Sequence, residues 1–592
     1  MPTFTGGQGD DAIVGTGEND ILVGSGGNDL LIGGSGDDDL RGGDGNDILI
    51  GGLASFVNFS ATFGTAFVTV FPDALTNGGT DLLDGGSGID WAVLTYTQTS
   101  GAIIFDNSQI DAVNRITVGG VNAGSVTSVE RLTFFSGSGN DRITGGAAHD
   151  IIYGGAGHDI LSGGGGVDHL IGGLGDDILN GGAGQDMAVY SGPRRLYQVG
   201  PNQVSGYGEG ADTLSSIEII RFVDGSMSYG SDTAAAQAMR LHIAALGRQP
   251  ESQARFSGLA DLHQARGFFG AGDIAELYFA SAELQSRYGG LSNRAFVETL
   301  YRLCMNREGE PAGVANWTGL LDAGRSRSQV LFEFSDSLEF RAITADIIQG
   351  GLWVENQAAL SVARLFDAAF DTLPDAAGLI QYTSTLQPNT FSGQTIQSGL
   401  FDVAASLVAS AAFQSSYGGL SNREFVEQLY RMVLDRPGEP SGLNYWTDQL
   451  DRGQLRSQVL VHFSESPEHV ALTRSLWEGG VRTSDGSAQW ASESLLPGEA
   501  ISGSLPADEP ADSSFWMLDY EADAIVFGAL EEMNLPTVDP ADLLNGLDIA
   551  AAHTTALNDS RVVLALPAAI DGAPEFDLDA WSPGQREGHW LI

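Results

Sequence analysis

A glycine-rich nonapeptide recurs in one register along the first part of this chain, and each copy ends its glycine turn on an aspartate. The opening segment reads GGQGDDAIV, GTGENDILV, GSGGNDLLI, GGSGDDDLR and GGDGNDILI, which sets Asp11, Asp20, Asp29, Asp38 and Asp47 nine residues apart. A second run, from SGSGNDRIT through GGAAHDIIY, GGAGHDILS, GGGGVDHLI and GGLGDDILN to GGAGQDMAV, sets Asp141, Asp150, Asp159, Asp168, Asp177 and Asp186 on the same period. Between them GGTDLLDGGSGIDWAV adds Asp81 and Asp90 in phase. Each unit divides into a turn, where glycine permits tight and partly left-handed backbone, and a short apolar strand. The central strand residue, such as Ile13, Leu22, Leu31, Leu40 or Leu49, is placed to face inward. If the turns alternate between two sides of a flattened coil, residues eighteen apart become neighbours, so that Asp11 lies by Asp29 and Asp29 by Asp47.

Such stacking makes rows of like charge. A hard cation relieves the repulsion, and calcium, which accepts six to eight oxygens in flexible geometry, suits carboxylates mixed with exposed carbonyls. Magnesium demands near-ideal octahedral geometry, and zinc prefers nitrogen or sulfur. His149 and His158 fall in consecutive repeats that face opposite sides, so they are expected to be structural or surface residues. The chain as a whole has 76 acidic and 28 basic residues, a formal charge of −48 over 592 residues, and all of its bases are arginine. That balance excludes a nucleic-acid binder reading phosphates and disfavours adsorption to anionic lipid.

The repeat closely resembles the RTX, or hemolysin-type, calcium-binding family, whose unit is GGxGxDxUx with U a large apolar residue. The resemblance implies a parallel β-roll, Ca2+ held between turns two repeats apart, and export through type I secretion machinery as an unfolded chain. It assigns metal ligation to Asp11, Asp20, Asp29, Asp38, Asp47, Asp81, Asp90, Asp141, Asp150, Asp159, Asp168, Asp177 and Asp186. Glu18 and Ala148 depart from the glycine pattern and make their turns the weaker ligand sets.

Two stretches interrupt the turns. SFVNFSATFGTAFVTVF, within residues 53 to 77, predicts an inserted strand or hairpin. The segments after Asp90 and Asp186 are copies of one flank, with VERLTF at 129 to 134 matching IEIIRF at 217 to 222, and they are expected to cover the roll ends as further β structure. Residues 1–135 thus read as a first roll with inserted and flanking β segments, and 136–232 as a second roll with its flank. The two rolls are also compatible with one interrupted solenoid.

From about residue 235 the apolar period becomes helical. Residues 281 to 340 return 129 residues later, pairing Tyr288 with Tyr417, Tyr301 with Tyr430, Gly309 with Gly438 and Trp317 with Trp446. Weaker copies start at Met239 and Ala363, which predicts helical repeat pairs over 235–345 and 355–475. These repeats resemble the domain of unknown function DUF4214. Serines before the helices read as caps. The tyrosines and tryptophans read as helix–helix core, with glycan stacking as the alternative. An acidic linker over 476–514 and a small acidic region or secretion signal over 515–592 complete a multidomain chain: parallel β-roll, flanking β structure, all-α repeats and an acidic carboxyl-terminal region.

The first residues lack the basic and apolar regions of a Sec leader, and no apolar run approaches the roughly 20 residues of a transmembrane helix. The lone Cys304 is expected to be buried in a helix. HExxH, GxSxG and Walker signatures are absent, which argues against an enzyme. The expectation is a secreted calcium-dependent structural or surface-assembly protein, in a surface layer or extracellular matrix, self-associating or bound to cell-surface polysaccharide. A soluble adhesin or glycan-binding effector is the alternative.

Overall fold

The computed structural model describes residues 1–52, 65–67, 80–250, 252–386, 396–477, 479–484 and 563–565. Within them the aspartate repeats wind a flattened parallel coil. Strands alternate between a 13-stranded and an 11-stranded sheet, and partners in each sheet stand 18 residues apart, as in Leu22 against Leu40 and Leu161 against Leu179. Odd and even repeats therefore lie on opposite walls. Leu22, Leu31, Leu40, Leu49, Ile143, Ile152, Leu161, Leu170 and Leu179 fill the space between the walls and are fully buried. Ile13, near the start of the coil, is only half-buried against the same core.

The first interruption leaves the register intact. Leu40 pairs with Leu83 and Leu49 with Ala92, so 43 residues replace the usual 18 while the coil continues. Of the inserted stretch, only Thr65–Phe67 lies inside the described residues, as a strand antiparallel to Val563–Ala565. The rest of the predicted insertion, the greater part of the acidic linker and nearly all of 515–592 lie outside them.

The second interruption is the duplicated flank. Ile103–Asp106, Asn114–Val118 and Val121–Thr127 form an antiparallel meander spliced into the first wall. Tyr197–Gly200, Gln203–Gly206 and Ala211–Ser215 do the same after the second run. The matching VERLTF and IEIIRF segments both enter the second wall, as Arg131–Phe135 and Ile219–Phe222. Because Arg131–Phe135 pairs with Trp91–Thr95 on one side and Ile151–Ala156 on the other, both turn runs share the same two sheets and one apolar core. They form a single interrupted solenoid.

The helical half begins at Ala234–Leu246, capped by Thr233, and continues to Pro467–Trp477. Serine side chains at 252, 281, 292, 326, 337, 410 and 421 accept the N–H three residues on, so these serines are caps. Prolines 311 and 440 occupy the first turn of matching helices. The duplicated core is built from the same contacts in each copy. Phe334 meets Tyr301 edge-on at 5.1 Å and Phe463 meets Tyr430 at 5.0 Å. A buried arginine ties the first helix of each copy to a later acid, with Arg240 to Asp336 at 2.8 Å and Arg364 to Glu465 at 2.5 Å.

The two halves are joined by β pairing. Leu352–Glu355, a four-residue strand between helices, lies antiparallel to Gly225–Ser228 and ends the second wall. Trp353 enters the roll's apolar core under the Arg194 guanidinium, which sits 5.6 Å from the ring. The buried Asp224 carboxylate accepts N–H groups from Arg194 at 2.8 Å and Val481 at 2.6 Å, while Arg195 donates to the Gly480 carbonyl at 2.7 Å. An edge that would expose unpaired backbone is thereby covered. Among the described residues no helix is long and apolar enough to cross a membrane.

Candidate metal centre

The aspartates stand in rows, locked to one another through the backbone. On one side of the first run, the Asp11 N–H donates to Asp29 Oδ1, Asp29 to Asp47 and Asp47 to Asp90, at 2.7–2.8 Å. On the other side Asp20 donates to Asp38 and Asp38 to Asp81. The second run repeats the device, from Asp141 through Asp159 to Asp177 and from Asp150 through Asp168 to Asp186. Asp11 is half-buried, and Asp20, Asp29, Asp38, Asp47, Asp81, Asp90, Asp141, Asp150, Asp159, Asp168, Asp177 and Asp186 are buried.

One oxygen of each carboxylate is thus held, and the other defines the site. Oδ2 of Asp29, Asp38, Asp47, Asp81, Asp90, Asp159, Asp168, Asp177 and Asp186 is buried with no hydrogen-bond partner. Each lies beside the first glycine of its turn, or beside Gly51 for Asp81, and at Asp29, Asp38 and Asp159 the carbonyl oxygen of Gly42, Gly51 or Gly172, eighteen residues beyond that glycine, borders the same space. A methyl group at Gly33 would lie 2.5 Å from Asp38 Oδ2 and 2.6 Å from the Gly51 oxygen, and one at Gly154 would lie 2.5 Å from Asp159 Oδ2 and 2.6 Å from the Gly172 oxygen. Only glycine fits there, so carboxylate and carbonyl oxygens close on a common space.

Leaving buried anionic oxygens unpaired is costly. Burial pushes the carboxyls of Asp29, Asp81 and Asp186 up to about 6 and those of Asp90, Asp159 and Asp168 up to about 7, with neighbouring carboxylates adding to the rise against the N–H bonds that lower it. Asp150, almost wholly enclosed, is raised well above the usual range for the same reason. Among the described residues no three His, Cys, Asp or Glu side chains converge on one point. A cation here would draw on carboxylates two repeats apart together with glycine carbonyls. That all-oxygen donor set matches calcium and offers zinc no nitrogen or sulfur.

Four aspartates depart from this pattern. Oδ2 is already engaged by Gly7 N–H at Asp11, by the Thr16 N–H and hydroxyl at Asp20, by the Ser136 hydroxyl at Asp141 and by Gly146 N–H at Asp150. Asp20 keeps a buried Oδ1 without a partner.

The rows end on residues that the repeat pattern did not flag. Glu130 Oε2 accepts Asp90 N–H at 2.8 Å and Glu218 Oε2 accepts Asp186 N–H at 2.9 Å, so each flank substitutes a glutamate for the next aspartate. Ser128 and Ser216, both left-handed at φ 49° and 51°, present their carbonyls where the next glycine's would be. Asp212 accepts from Asp177 N–H and from the Tyr190 hydroxyl, both at 2.9 Å, and is raised to about 7, chiefly by burial. The spacing of Gly208, Gly210, Asp212 and Leu214 is a degenerate copy of the repeat and is its sequence signal.

Other singled-out residues have structural roles. His149 is buried edge-on to the His169 ring, 5.2 Å away, and desolvation lowers it to about 3, whereas His158 is exposed and accepts Asp176 N–H at 2.9 Å. Cys304 is buried and its thiol is pushed up to about 12. Tyr301 and Tyr430 are core residues bonded to Glu310 and Glu439.

Comparison with known families agrees with this geometry. The RTX calcium-binding nonapeptide repeat (4 copies) matches residues 5–40, 23–54, 135–170 and 157–188. The domain of unknown function DUF4214 matches 275–343 and 404–473. No curated protein matches the chain. Calcium is the ligand of the matched repeat, and the chain contains an RTX calcium-binding repeat region followed by two DUF4214-like segments.

Proposed function

We propose that this is a secreted, non-enzymatic protein of a surface layer or extracellular matrix, folded by external calcium. The observation that carries the reading is the file of buried, partnerless Oδ2 atoms packed against the turn glycines, several of them beside a backbone carbonyl of a later turn. Asp29, Asp38, Asp47, Asp81, Asp90, Asp159, Asp168, Asp177 and Asp186 are the principal ligands in this reading, and Asp11, Asp20, Asp141 and Asp150 become ligands once calcium competes for their engaged oxygens. Without calcium, burial of the carboxylates opposes folding. Calcium, by binding only the folded coil, reverses the balance through mass action. A chain kept unfolded where calcium is scarce suits type I export, and folding then follows where calcium is abundant. The helical half, paired to the roll through Leu352–Glu355, presents the surfaces for self-association or for cell-surface polysaccharide.

Calcium titration of the metal-free protein, followed by circular dichroism and light scattering, tests both parts. Cooperative gain of β structure with growth of ordered particles supports the reading. Folding that is indifferent to calcium overturns its first part, and a calcium-loaded protein that stays strictly monomeric and binds no cell-surface polysaccharide overturns its second.

A further inference from the structure

The duplicated helical repeats differ at one place where their backbones agree. Helices Pro440–Asp451 and Arg456–Ser464 enclose an open groove of about 690 Å³, lined by two aromatic residues, a histidine and several glutamines. Trp446 is fixed from below by Phe463 at 5.7 Å, and its ring is tilted 30° to that of His462, ring centres 5.4 Å apart. Tyr445 stands edge-on to Trp446 at 5.0 Å and is 56% exposed.

The first copy serves as an internal control. Asn316 replaces Tyr445, Leu320 replaces Gln449, Arg325 replaces Gln454 and Glu333 replaces His462. There the Arg325 guanidinium bonds both Glu333 oxygens, at 2.7 and 2.9 Å, across the position that the second copy leaves open. The tryptophan is common to both copies and packs alike on Phe334 and Phe463, so its conservation reflects the core. Gln458 likewise corresponds to Gln329, and both accept a helix-start N–H. In its lining the second copy has Tyr445, Gln449, Arg452, Gln454 and His462 where the first has Asn316, Leu320, Ala323, Arg325 and Glu333, and the ion pair is gone.

We propose that this groove is a saccharide site that accepts a neutral pyranose. Aromatic faces bind the apolar C–H face of a sugar ring, while planar amides pair with neighbouring hydroxyls as donor and acceptor together. Tyr445, Trp446 and His462 supply the faces, and Gln449 and Gln454 supply the amides. The one guanidinium at the rim, Arg452, is neutralised by Asp448 at 2.8 Å, so the groove carries no unpaired cation to select an acidic ligand. Trp446 is held against the core by Phe463 and needs no ordering when a ligand arrives. The proposal rests on the reading of the helical half as a polysaccharide surface, and because the groove stands apart from the calcium rows, failure of calcium-driven assembly leaves it testable.

Full-length calcium-loaded protein is titrated with maltohexaose, cellohexaose and chitohexaose, read by tryptophan fluorescence and saturation-transfer NMR. At least one is expected to bind saturably. Gln454→Arg with His462→Glu, which restores the first copy's ion pair, is expected to weaken it at least about tenfold with an unchanged melting temperature. Tyr445→Ala, at an exposed position that leaves the fold intact, is expected to do the same, and Asn316→Ala to do nothing. The proposal is overturned if none of the three sugars saturates by about 10 mM, if binding survives both groove variants, or if only aromatic peptides compete for the groove.

Discussion

Asp29 Oδ1 accepts the backbone N–H of Asp11 at 2.8 Å, and the same bond recurs up each file of turns. A second ladder, one residue earlier, runs the other way: Asn28 N–H donates back to Asp10 Oδ1 at 2.6 Å and Asn46 N–H to Asn28 Oδ1 at 2.8 Å. Where both ladders run, as at Asn28–Asp29 and Asn46–Asp47, the turn is clamped in both directions before any cation is considered, leaving the free carboxylate oxygens as the variable part.

Replacing Asp159 by alanine removes the acceptor of Asp141 N–H together with one buried Oδ2. The expected outcome is fewer bound calcium ions by isothermal titration calorimetry and a higher calcium midpoint for folding. Asp10→Ala, at an exposed ladder position, is expected to leave the stoichiometry unchanged.

Gly33→Ala or Gly154→Ala places a methyl group against a carboxylate and a carbonyl of the turn two repeats on. Overpacking of this kind costs about 1–3 kcal/mol, and here it also blocks the oxygen-lined space. Calcium-dependent melts are expected to show lower stability and a weaker calcium response than Gly9→Ala, where nothing lies within 4 Å.

In calcium-depleted buffer the two halves are expected to respond oppositely to acid. Asp81, Asp90, Asp159 and Asp168 have folded values raised to about 6–7 from an unfolded 3.8, so the folded roll binds more protons. Its stability is greatest below the unfolded value and declines as pH rises through 6 to 7. Buried His263, lowered by desolvation from 6.5 to about 4, contributes in reverse: its stability is present above 6.5 and lost as pH falls toward 4. Melts from pH 4 to 8, followed separately by β and helical signals, check the two signs.

The buried ion pairs of the helical half are unequal in their partners. Arg364 is 5% exposed and Glu465 25%, so Glu465→Ala leaves a buried guanidinium without its carboxylate though still bonded to the Ser361 hydroxyl, whereas Arg364→Ala leaves an acid that can reach water. Breaking a buried pair costs about 3–5 kcal/mol. Denaturant titration is expected to place Glu465→Ala at the upper end and Arg364→Ala at the lower.

Local pattern made much of this molecule readable. The nine-residue period identified the inward leucines and the aspartate rows because both repeat within one turn of the coil. Helix caps and the paired repeats were equally plain, since Ser292 and Ser421 precede near-identical segments. Glu130 and Glu218 escaped notice because they follow no glycine turn and act on aspartates 40 and 32 residues away. The strand at Leu352–Glu355 was hidden in a short gap between helices, since its partner at Gly225–Ser228 is distant in sequence. Likewise, no single position announces the groove at Tyr445; it emerges only when the closed first copy is set beside the open second.

The pairing of Met227 with Trp353 gives the coil a fixed template at one end. A solenoid whose rungs contact only their neighbours would otherwise nucleate anywhere along its length. Here the last rung is laid down by a helical body with its own core, so winding can start at that seam and propagate toward Met1. Amide protection at limiting calcium should then fade as a gradient, strongest beside Trp353 and weakest at the half-buried strand around Ile13.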